Sequence, residues 1–273
     1  MIPRAQVAEW RAKTPWAFDA QVEQDLVISR ALVDIYADNY LRNALAFRGG
    51  TALHKLYFDP PERYSEDIDL VRLNGGPIKP IVSRLRERLE PWLGQASYKA
   101  NDRTSTLRFR FESESTPPIP LRLKVEINVR ETFALAGIQT IPFRVASRWF
   151  DGSAEVTTFT LEELMATKLR ALYQRSKGRD AFDLDRGLQL PERPSPTRIV
   201  ELFQGYLAHQ GVKVSRAQFE ENLHAKGDDV DFLGDIIPLL ATTAPRYEPS
   251  EGLERVAVGL VQLLEGKPWA GGP

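Results

Sequence analysis

The chain has 273 residues, enough for one large domain or two modest ones with a buried core. Its hydrophobic share (42%) and charged share (27%) are those of an ordinary globular protein. The 36 basic and 37 acidic residues nearly cancel, so any polyanion must be bound by a local patch of positive charge. The lack of cysteine excludes disulfides and thiolate metal sites, and the 3 histidines have no metal-ligand spacing.

Two features bear on the compartment. No apolar run approaches the ~18 residues that a membrane-spanning helix needs, and no secretory h-region follows Met1. The lack of cysteine also fits a reducing environment. These features predict a cytoplasmic protein without a membrane partner.

The hydrophobic periodicity predicts a mixed first half. The first forty residues have apolar residues at helical spacing, and the apolar stretch 44–47 predicts a buried strand. A turn at Arg48-Gly49-Gly50 then leads into a short helix that Thr51 is predicted to cap. The elements predicted next are a strand at 66–73, an amphipathic helix that ends near Gly94, strands at 105–113 and 120–131, and a looser β-like stretch at 154–160.

The second half has a different character. From Leu161 to Leu190, and again from 196 to about 265, the periodicity is helical, interrupted by a proline-rich segment at 190–197. This change predicts two domains, a mixed domain with N-terminal helices at 1–155 and a helical domain at 156–273.

The first candidate site is an aspartate pair in the predicted strand at 66–73. Asp67 and Asp69 are two residues apart, so both carboxylates project from one face while Ile68 faces the core. Neighbouring carboxylates repel unless a cation lies between them, and Mg²⁺ prefers hard oxygen ligands. A bare pair of this kind is more often a solvated strand face at a sheet edge.

Two further features strengthen the case for a site. Gly49-Gly50-Thr51, at a strand-to-helix turn, would let the backbone approach a phosphate at a helix N-terminus. Glu126 lies on the polar face of the predicted strand at 120–131, where it would supply a third carboxylate. The glycine turn alone is a weak signal, because many such turns carry glycine.

The helix after Leu161 contains the next candidate. Lys168 lies on its apolar stripe, where an amine must reach an anion or extend to solvent. Either a phosphate-binding lysine or a structural lysine fits that position. Five basic residues and no acidic residue lie between 168 and 179, which predicts a local positive patch or a solvated helix face.

Taken in chain order, these residues resemble a known family. The AbiEii-type nucleotidyltransferases have similar motifs, which in this chain are Gly49-Gly50-Thr51, Ser65-x-Asp67-Ile68-Asp69-Leu70, Lys124-Val125-Glu126-Ile127-Asn128, and the Lys168 helix with Arg179-Asp180-x-x-Asp183-Leu184. These enzymes are the toxins of type IV toxin–antitoxin and abortive-infection systems. They are also called the MenT/MenA-like group, within the DNA polymerase β-like superfamily. The resemblance covers residues 45–184, and its four separated motifs occur in the same order as in the family.

The resemblance implies a fold and a reaction. The expected α/β architecture is an N-terminal nucleotidyltransferase mixed sheet with helices and a C-terminal helical domain, with the active site in the cleft between. The expected reaction transfers a nucleotidyl group from an NTP to RNA, such as a tRNA 3′ end, and releases pyrophosphate. A cognate antitoxin protein is a further expected partner.

The resemblance also implies a role for each candidate residue. Asp67, Asp69 and Glu126 would bind Mg²⁺, or Mn²⁺ in its place, with Glu126 on the attacking side. Lys168 would contact the triphosphate and complete the catalytic set, with Asp183 and Arg179 as candidates for orienting Lys168 or the base. The implied nucleotide-binding residues are Arg48, Gly49, Gly50, Thr51, Ser65, Lys168, Arg179 and Asp183. Superfamily members often have Asp at the position of Glu126, so the longer side chain is a departure.

Ser65 gives one further hypothesis. It would share a strand face with Asp67 and Asp69, and its simplest role is a hydrogen bond at the strand edge. A phosphoryl or nucleotidyl group on its hydroxyl would add about −1.5 to −2 charges beside the two carboxylates. Such a group would compete with the incoming triphosphate and inactivate the enzyme.

Three other functions share parts of these motifs. A small-molecule nucleotidyltransferase has the same core but no affinity for RNA. A kinase-like enzyme would move the γ-phosphate to a protein hydroxyl. A nucleotide-binding module that docks a partner protein would need no chemistry, although the full set of carboxylates and Lys168 argues against it.

Overall fold

The computed structural model describes residues 2–14 and 16–271, and the chain divides into two compact units. The first unit extends to Phe159 and includes Leu240–Thr243, and the second comprises Thr160–Leu239 and the residues from Ala244 onward. The boundary predicted after residue 155 falls inside a strand that continues to Phe159.

The first unit contains helices and a sheet. Its helices are α1 (Arg4–Arg11), α2 (Asp19–Tyr36), α3 (Asn39–Ala44), α4 (Gly49–Leu56) and α5 (Lys79–Leu93). Its strands are β1 (Leu45–Arg48), β2 (Asp67–Arg72), β3 (Ser97–Ala100), β4 (Thr104–Glu112), β5 (Pro120–Asn128), β6 (Ile138–Ala146) and β7 (Asp151–Phe159).

The strands form one mixed sheet of 7 strands in the order β3-β4-β5-β2-β1-β7-β6. β2 lies between β1, with which it is antiparallel, and β5, with which it is parallel. β1 and β7 are also parallel, whereas the outer pairs are antiparallel. The predicted α/β class with a mixed sheet and helices is confirmed.

Alternating side chains decide which face of the sheet is covered. On β5, Leu123, Val125 and Ile127 are at most 1% exposed, and the residues between them lie on the opposite face. β5 packs against α2, and β4 against α5, so the apolar face is covered by helices. Each fully buried aliphatic side chain contributes about 1.5–3 kcal/mol, which fixes the polar residues of β5 on the other face.

Two strands were missed by the sequence patterns. β3 and β6 form the edges of the sheet, and every residue of β3 is exposed. An edge strand with little burial lacks the alternation that identifies a strand from sequence. β6 also contains Pro142, which an edge strand tolerates because it need not donate to a neighbour on its open side.

The predicted helix cap at Thr51 was wrong. α4 begins at Gly49, directly after β1, and Arg48 is the residue at its N-cap. Gly49 has a φ of +79°, which lets the strand turn at once into the helix. Thr51 is therefore inside the first turn of α4, with its side chain 2% exposed.

The second unit is helical throughout its described residues. Its helices are α6 (Leu161–Gln174), α7 (Gly178–Leu188), α8 (Pro196–His209), α9 (Arg216–Gly227), α10 (Val230–Gly234) and α11 (Pro249–Gly259), with short 3₁₀ turns at Ile237–Leu239 and Val261–Leu263. α6 packs against α7 and α8, and α7 against α11. Across both units, none of the described helices has the length and apolarity needed to cross a membrane.

A lysine of α9 caps the C-terminal end of α6. Lys226 is 7% exposed, and its amine donates to the carbonyl oxygens of Leu172 and Tyr173 and to Asn222 Oδ1. The last carbonyls of a helix have no partner within it, so the amine satisfies groups that would otherwise be unpaired. Burial lowers the pKa of the Lys226 amine to about 8.

This pKa predicts how stability depends on pH. The unfolded amine keeps its proton up to about pH 10, so between about pH 8 and 10 the unfolded state binds more protons and the wild type gains stability as pH rises. Lys226→Met should remove that gain. Between pH 7.5 and about pH 10, the free energy of unfolding measured with urea should rise by about 1–3 kcal/mol more in wild type than in Lys226→Met.

Lys213→Met provides the matched control, because the Lys213 side chain is 86% exposed. Its pH dependence should follow that of wild type. Parallel pH profiles for wild type and Lys226→Met would contradict the assignment of a lowered pKa to Lys226.

Candidate active site

The parallel register of β2 and β5 assembles three of the candidate carboxylates. Asp67 is paired with Lys124, and Asp69 with Glu126, two residues further along both strands. Because strand side chains alternate, these four side chains lie on the face opposite the apolar one. The pattern in the sequence thus corresponds to a polar cluster on neighbouring strands.

Lys124 provides the positive charge of this cluster. Its amine lies 2.8 Å from Asp67 Oδ2 and 3.7 Å from Glu126 Oε2. Burial alone would lower the pKa of Lys124, but the hydrogen bond to Asp67 and the charges of Asp67 and Glu126 outweigh it and raise the pKa. Lys124 was not among the predicted site residues, although it lies two residues before Glu126 on the same face of β5.

The charged form of the Asp69 carboxyl is disfavoured by its surroundings, which raise its pKa. Burial raises the pKa of its carboxyl, and the negative charge of Asp67 raises it further. The positive charges of Arg48 and Lys124 act in the opposite direction but do not cancel the increase. A further cation beside Asp69 would favour its ionised form.

Gly49 is in direct contact with Asp69. A Cβ added to Gly49 would lie 2.5 Å from Asp69 Oδ2, closer than any real contact allows. The positive φ of +79° independently disfavours a side chain there. Glycine at this position therefore serves both the turn from β1 to α4 and the close approach of the carboxylate.

The predicted nucleotide-binding hydroxyls form one hydrogen-bonded pair. Thr51 donates its hydroxyl hydrogen to the backbone carbonyl of Asp67 at 2.6 Å. The Ser65 hydroxyl lies 2.6 Å from Thr51 Oγ1 and must be the donor, because Thr51 has already used its hydrogen. Ser65 precedes β2, which begins at Asp67, so it does not share a strand face with the two aspartates as expected, and its partner is a side-chain hydroxyl rather than backbone or water. Modification of Ser65 stays a prediction.

The other two residues of the turn lie beside the cluster. Arg48 is the cross-strand partner of Asp69, and its guanidinium is 3.7 Å from a carboxylate oxygen of Glu131. Gly50 is buried in the first turn of α4. The first backbone N–H groups of a helix have no intrahelical acceptor, so this turn can bind an anion.

The donor chemistry of the cluster fits a divalent cation, but only in part as predicted. Within residues 2–14 and 16–271, no three Asp, Glu or His side chains are grouped so that they could hold a metal. The amine of Lys124 contacts both Asp67 and Glu126, so an ammonium group supplies positive charge where a metal ion was predicted. Mg²⁺ needs only one or two carboxylates when water and substrate phosphates complete its shell, and Asp67 with Asp69 meets that need.

Lys168 belongs to a buried ion cluster in the second unit. Its amine lies 2.9 Å from Asp180 Oδ1 and 2.8 Å from Asp183 Oδ2, and both carboxylates are wholly buried. Arg175 also binds Asp180, at 2.7 Å. Burial alone would raise the pKa of Asp180, but the charges and hydrogen bonds of Lys168 and Arg175 outweigh it and lower the pKa.

This cluster changes the interpretation of the basic segment 168–179. Lys168 and Arg170 are each 7% exposed, and Lys177 pairs with Asp235 at 3.4 Å. Arg179 has no ion pair with any residue that the structure describes. Lys168, Arg175 and Lys177 pair with Asp180, Asp183 and Asp235, so acidic residues that follow the segment offset part of the predicted positive patch. Asp180, which pairs with both Lys168 and Arg175, was not among the predicted site residues.

The candidate residues thus form two groups, one in each compact unit. Arg48, Gly49, Thr51, Ser65 and the carboxylates of β2 and β5 belong to the first unit, and Lys168, Arg179 and Asp183 to the second. A role for both groups in one reaction stays a prediction.

Comparison with solved structures supports a nucleotidyltransferase fold. MenT4, a nucleotidyltransferase toxin from Mycobacterium tuberculosis, is similar over 96% of this chain and 90% of its own, with a TM-score of 0.68 and 18% identity. JHP933 from Helicobacter pylori is similar over 89% of this chain and 90% of its own, with a TM-score of 0.57 and 20% identity. The fold class is that of the nucleotidyltransferase toxins.

The sequence identifies the family. Residues 30–254 match the model of the AbiEii nucleotidyl transferase toxins of type IV toxin–antitoxin systems. Among curated protein sequences, no significant match to this chain is found. The chain belongs to the AbiEii toxin family and is a nucleotidyltransferase, as the motifs predicted.

The contact between Gly49 and Asp69 gives a prediction for the site. Gly49→Ala should cost about 1–2 kcal/mol from its backbone conformation and should also displace the Asp69 carboxylate, with loss of nucleotidyl transfer. Activity and thermal unfolding would be measured together.

Gly211→Ala is the control, because Gly211 has a φ of +68° and no atom within 4 Å of an added Cβ. It should lose comparable stability and keep its activity. Gly49→Ala with activity close to that of Gly211→Ala would show that the approach to Asp69 does not matter.

Proposed function

We propose that the protein is a Mg²⁺-dependent enzyme that transfers a nucleotidyl group from an NTP to RNA, such as a tRNA 3′ end. The observation that supports this most is the register of β2 and β5, which places Asp67, Asp69 and Glu126 on one face beside the α4 turn. The membership in a toxin family supports a protein antitoxin as a second partner. We place the enzyme in the cytoplasm, where NTPs and RNA occur together.

In the proposed reaction, the NTP phosphates bind at the N-terminus of α4 beside Arg48. The acceptor hydroxyl approaches from the side of β5 and attacks the α-phosphorus, forming a P–O bond as the bond to pyrophosphate breaks. Glu126 would accept the hydroxyl proton. Asp67 and Asp69 would hold Mg²⁺, or Mn²⁺ in its place, which lowers the pKa of the hydroxyl and neutralises charge on the phosphates.

The second unit would contribute phosphate ligands. The Lys168 amine has three donors, two of which are directed at Asp180 and Asp183, so one is left for a phosphate oxygen. In this proposal Asp183 orients Lys168, and Arg179 binds a phosphate through its guanidinium.

Asparagine substitutions test the metal site. Asp67→Asn and Asp69→Asn preserve shape and remove charge, and each should reduce transfer from α-labelled NTP to total RNA by at least about 100-fold. Thermal unfolding should change little, because the repulsion between the two carboxylates is lost together with the partly exposed ion pair of Asp67 with Lys124. Asp151→Asn is the control, since Asp151 is a 62% exposed residue of β7 that pairs with Arg144.

The same assay, run in parallel with γ-labelled NTP, separates the alternative functions. Label transferred from the γ-phosphate to protein would indicate a kinase-like enzyme, and transfer to small molecules but not to RNA would indicate the small-molecule class. Binding of NTP without transfer, equal in wild type and both variants, would indicate a docking module.

A further inference from the structure

Three arginines extend from the carboxylate cluster across the open face of the sheet. Arg108 is paired with Lys124, and Arg110 with Arg122, in the antiparallel ladder of β4 and β5. Strand alternation therefore puts them on the same face as Glu126. All three are exposed. We call Arg108, Arg110 and Arg122 the arginine strip.

The charges of the strip have no acidic partner in the described part of the chain. None of the three guanidinium groups forms an ion pair with any residue that the structure describes. Arg110 and Arg122 are direct cross-strand partners, an arrangement of like charges that destabilises a sheet. Lys124 next to them is paired with Asp67, so uncompensated charge begins just beyond the carboxylates. A bound polyanion would relieve this repulsion.

The strip also has a defined distance from the proposed reaction centre. Arg122 precedes Glu126 by four residues of β5, which is about 13 Å along a strand. Arg108 and Arg110 are two residues apart on β4, or about 7 Å. That spacing is comparable to the separation of successive phosphates in a nucleic acid strand.

A cavity adjoins the outer end of the strip. It has a volume of about 730 Å³, and its lining includes Arg110, Arg122, Tyr64, Gln24 and two carboxylates, those of Glu66 and Glu112. Tyr64 and Gln24 are both almost fully buried, so the walls are already ordered. A cavity of this size with aromatic and amide walls is large enough for a base or a ribose beside the phosphates.

We propose that the arginine strip binds the phosphate backbone of the acceptor strand, whose terminal ribose lies at Glu126. This inference rests on the proposed transfer to RNA and names the surface that binds the acceptor. The strip has one sign of charge and ends at carboxylates, which repel a phosphate but accept a hydroxyl group. An NTP has its charges concentrated at one end, whereas an extended strand places charges at successive arginines.

Charge-neutral variants test the proposal. Arg110→Gln/Arg122→Gln should weaken binding of a single-stranded RNA oligonucleotide at least about tenfold at low salt. The slope of log K against log salt should fall by about 1.4, because each lost phosphate contact contributes about 0.7 for single strands. In the transfer assay, the KM for RNA should rise while kcat and the KM for NTP stay near wild type.

The control removes the same charge elsewhere in the first unit. Arg144→Gln/Arg148→Gln alters exposed side chains on β6 and the loop after it, which pair with Asp151 and Glu9. RNA affinity and salt slope should stay at the wild-type values. Thermal unfolding of both double variants would show that neither is misfolded.

Several outcomes would overturn the inference. Unchanged RNA affinity and slope in Arg110→Gln/Arg122→Gln, while wild type still transfers nucleotide to RNA, would reject the strip but keep the proposed function. An equal rise in the KM for NTP would assign the strip to the NTP. A loss of affinity for poly-L-glutamate without a loss for RNA would assign it to an acidic protein partner. Absence of transfer to RNA by wild type would instead reject the proposed function itself.

Discussion

The arrangement of the first unit depends on the parallel register between β2 and β5. A shift by one residue would turn Ile68 to the open face and bury the carboxylates of Asp67 and Asp69. The buried side chains of both strands oppose such a shift, because each contributes apolar burial under α2. The same packing that stabilises the sheet therefore holds the polar cluster in place, and Gly49 leaves the space that Asp69 occupies.

The basic side chains around Lys168 and those on the open face of the sheet differ in whether they have acidic partners. In the helices, Lys168 and Arg175 have acidic partners, which offset much of the local excess of positive charge in the sequence. On the open face of the sheet, Arg110 and Arg122 face each other without such partners. A chain that is nearly neutral overall thus keeps uncompensated charge next to the proposed reaction centre, where it can attract a polyanion.

The sequence predicts the features that local periodicity determines. Alternation on β5 placed Glu126 on the polar face, and the strand containing Asp67 and Asp69 was found within a residue or so. Edge strands such as β3 escaped, because their exposure removes the apolar pattern. Of the two partners of Lys168, Asp183 was a candidate from the sequence and Asp180 was not. Contacts between helices depend on side-chain positions that no spacing rule supplies. Thr51 was misplaced because α4 begins at Gly49, three residues before the position at which a helix capped by Thr51 would begin.

The buried cluster around Lys168 limits how the helical unit can be divided. Asp180 and Asp183 lie on α7, whereas Lys168 lies on α6, so a break between the two helices separates opposite charges that are removed from water. A fragment ending after α6 would carry an ammonium group on its apolar side, and one beginning at α7 would carry two carboxylates there. For protein engineering, α6 and α7 should therefore be kept together in one chain segment. Split-protein junctions, fusions and circular permutants are best placed outside residues 161–188.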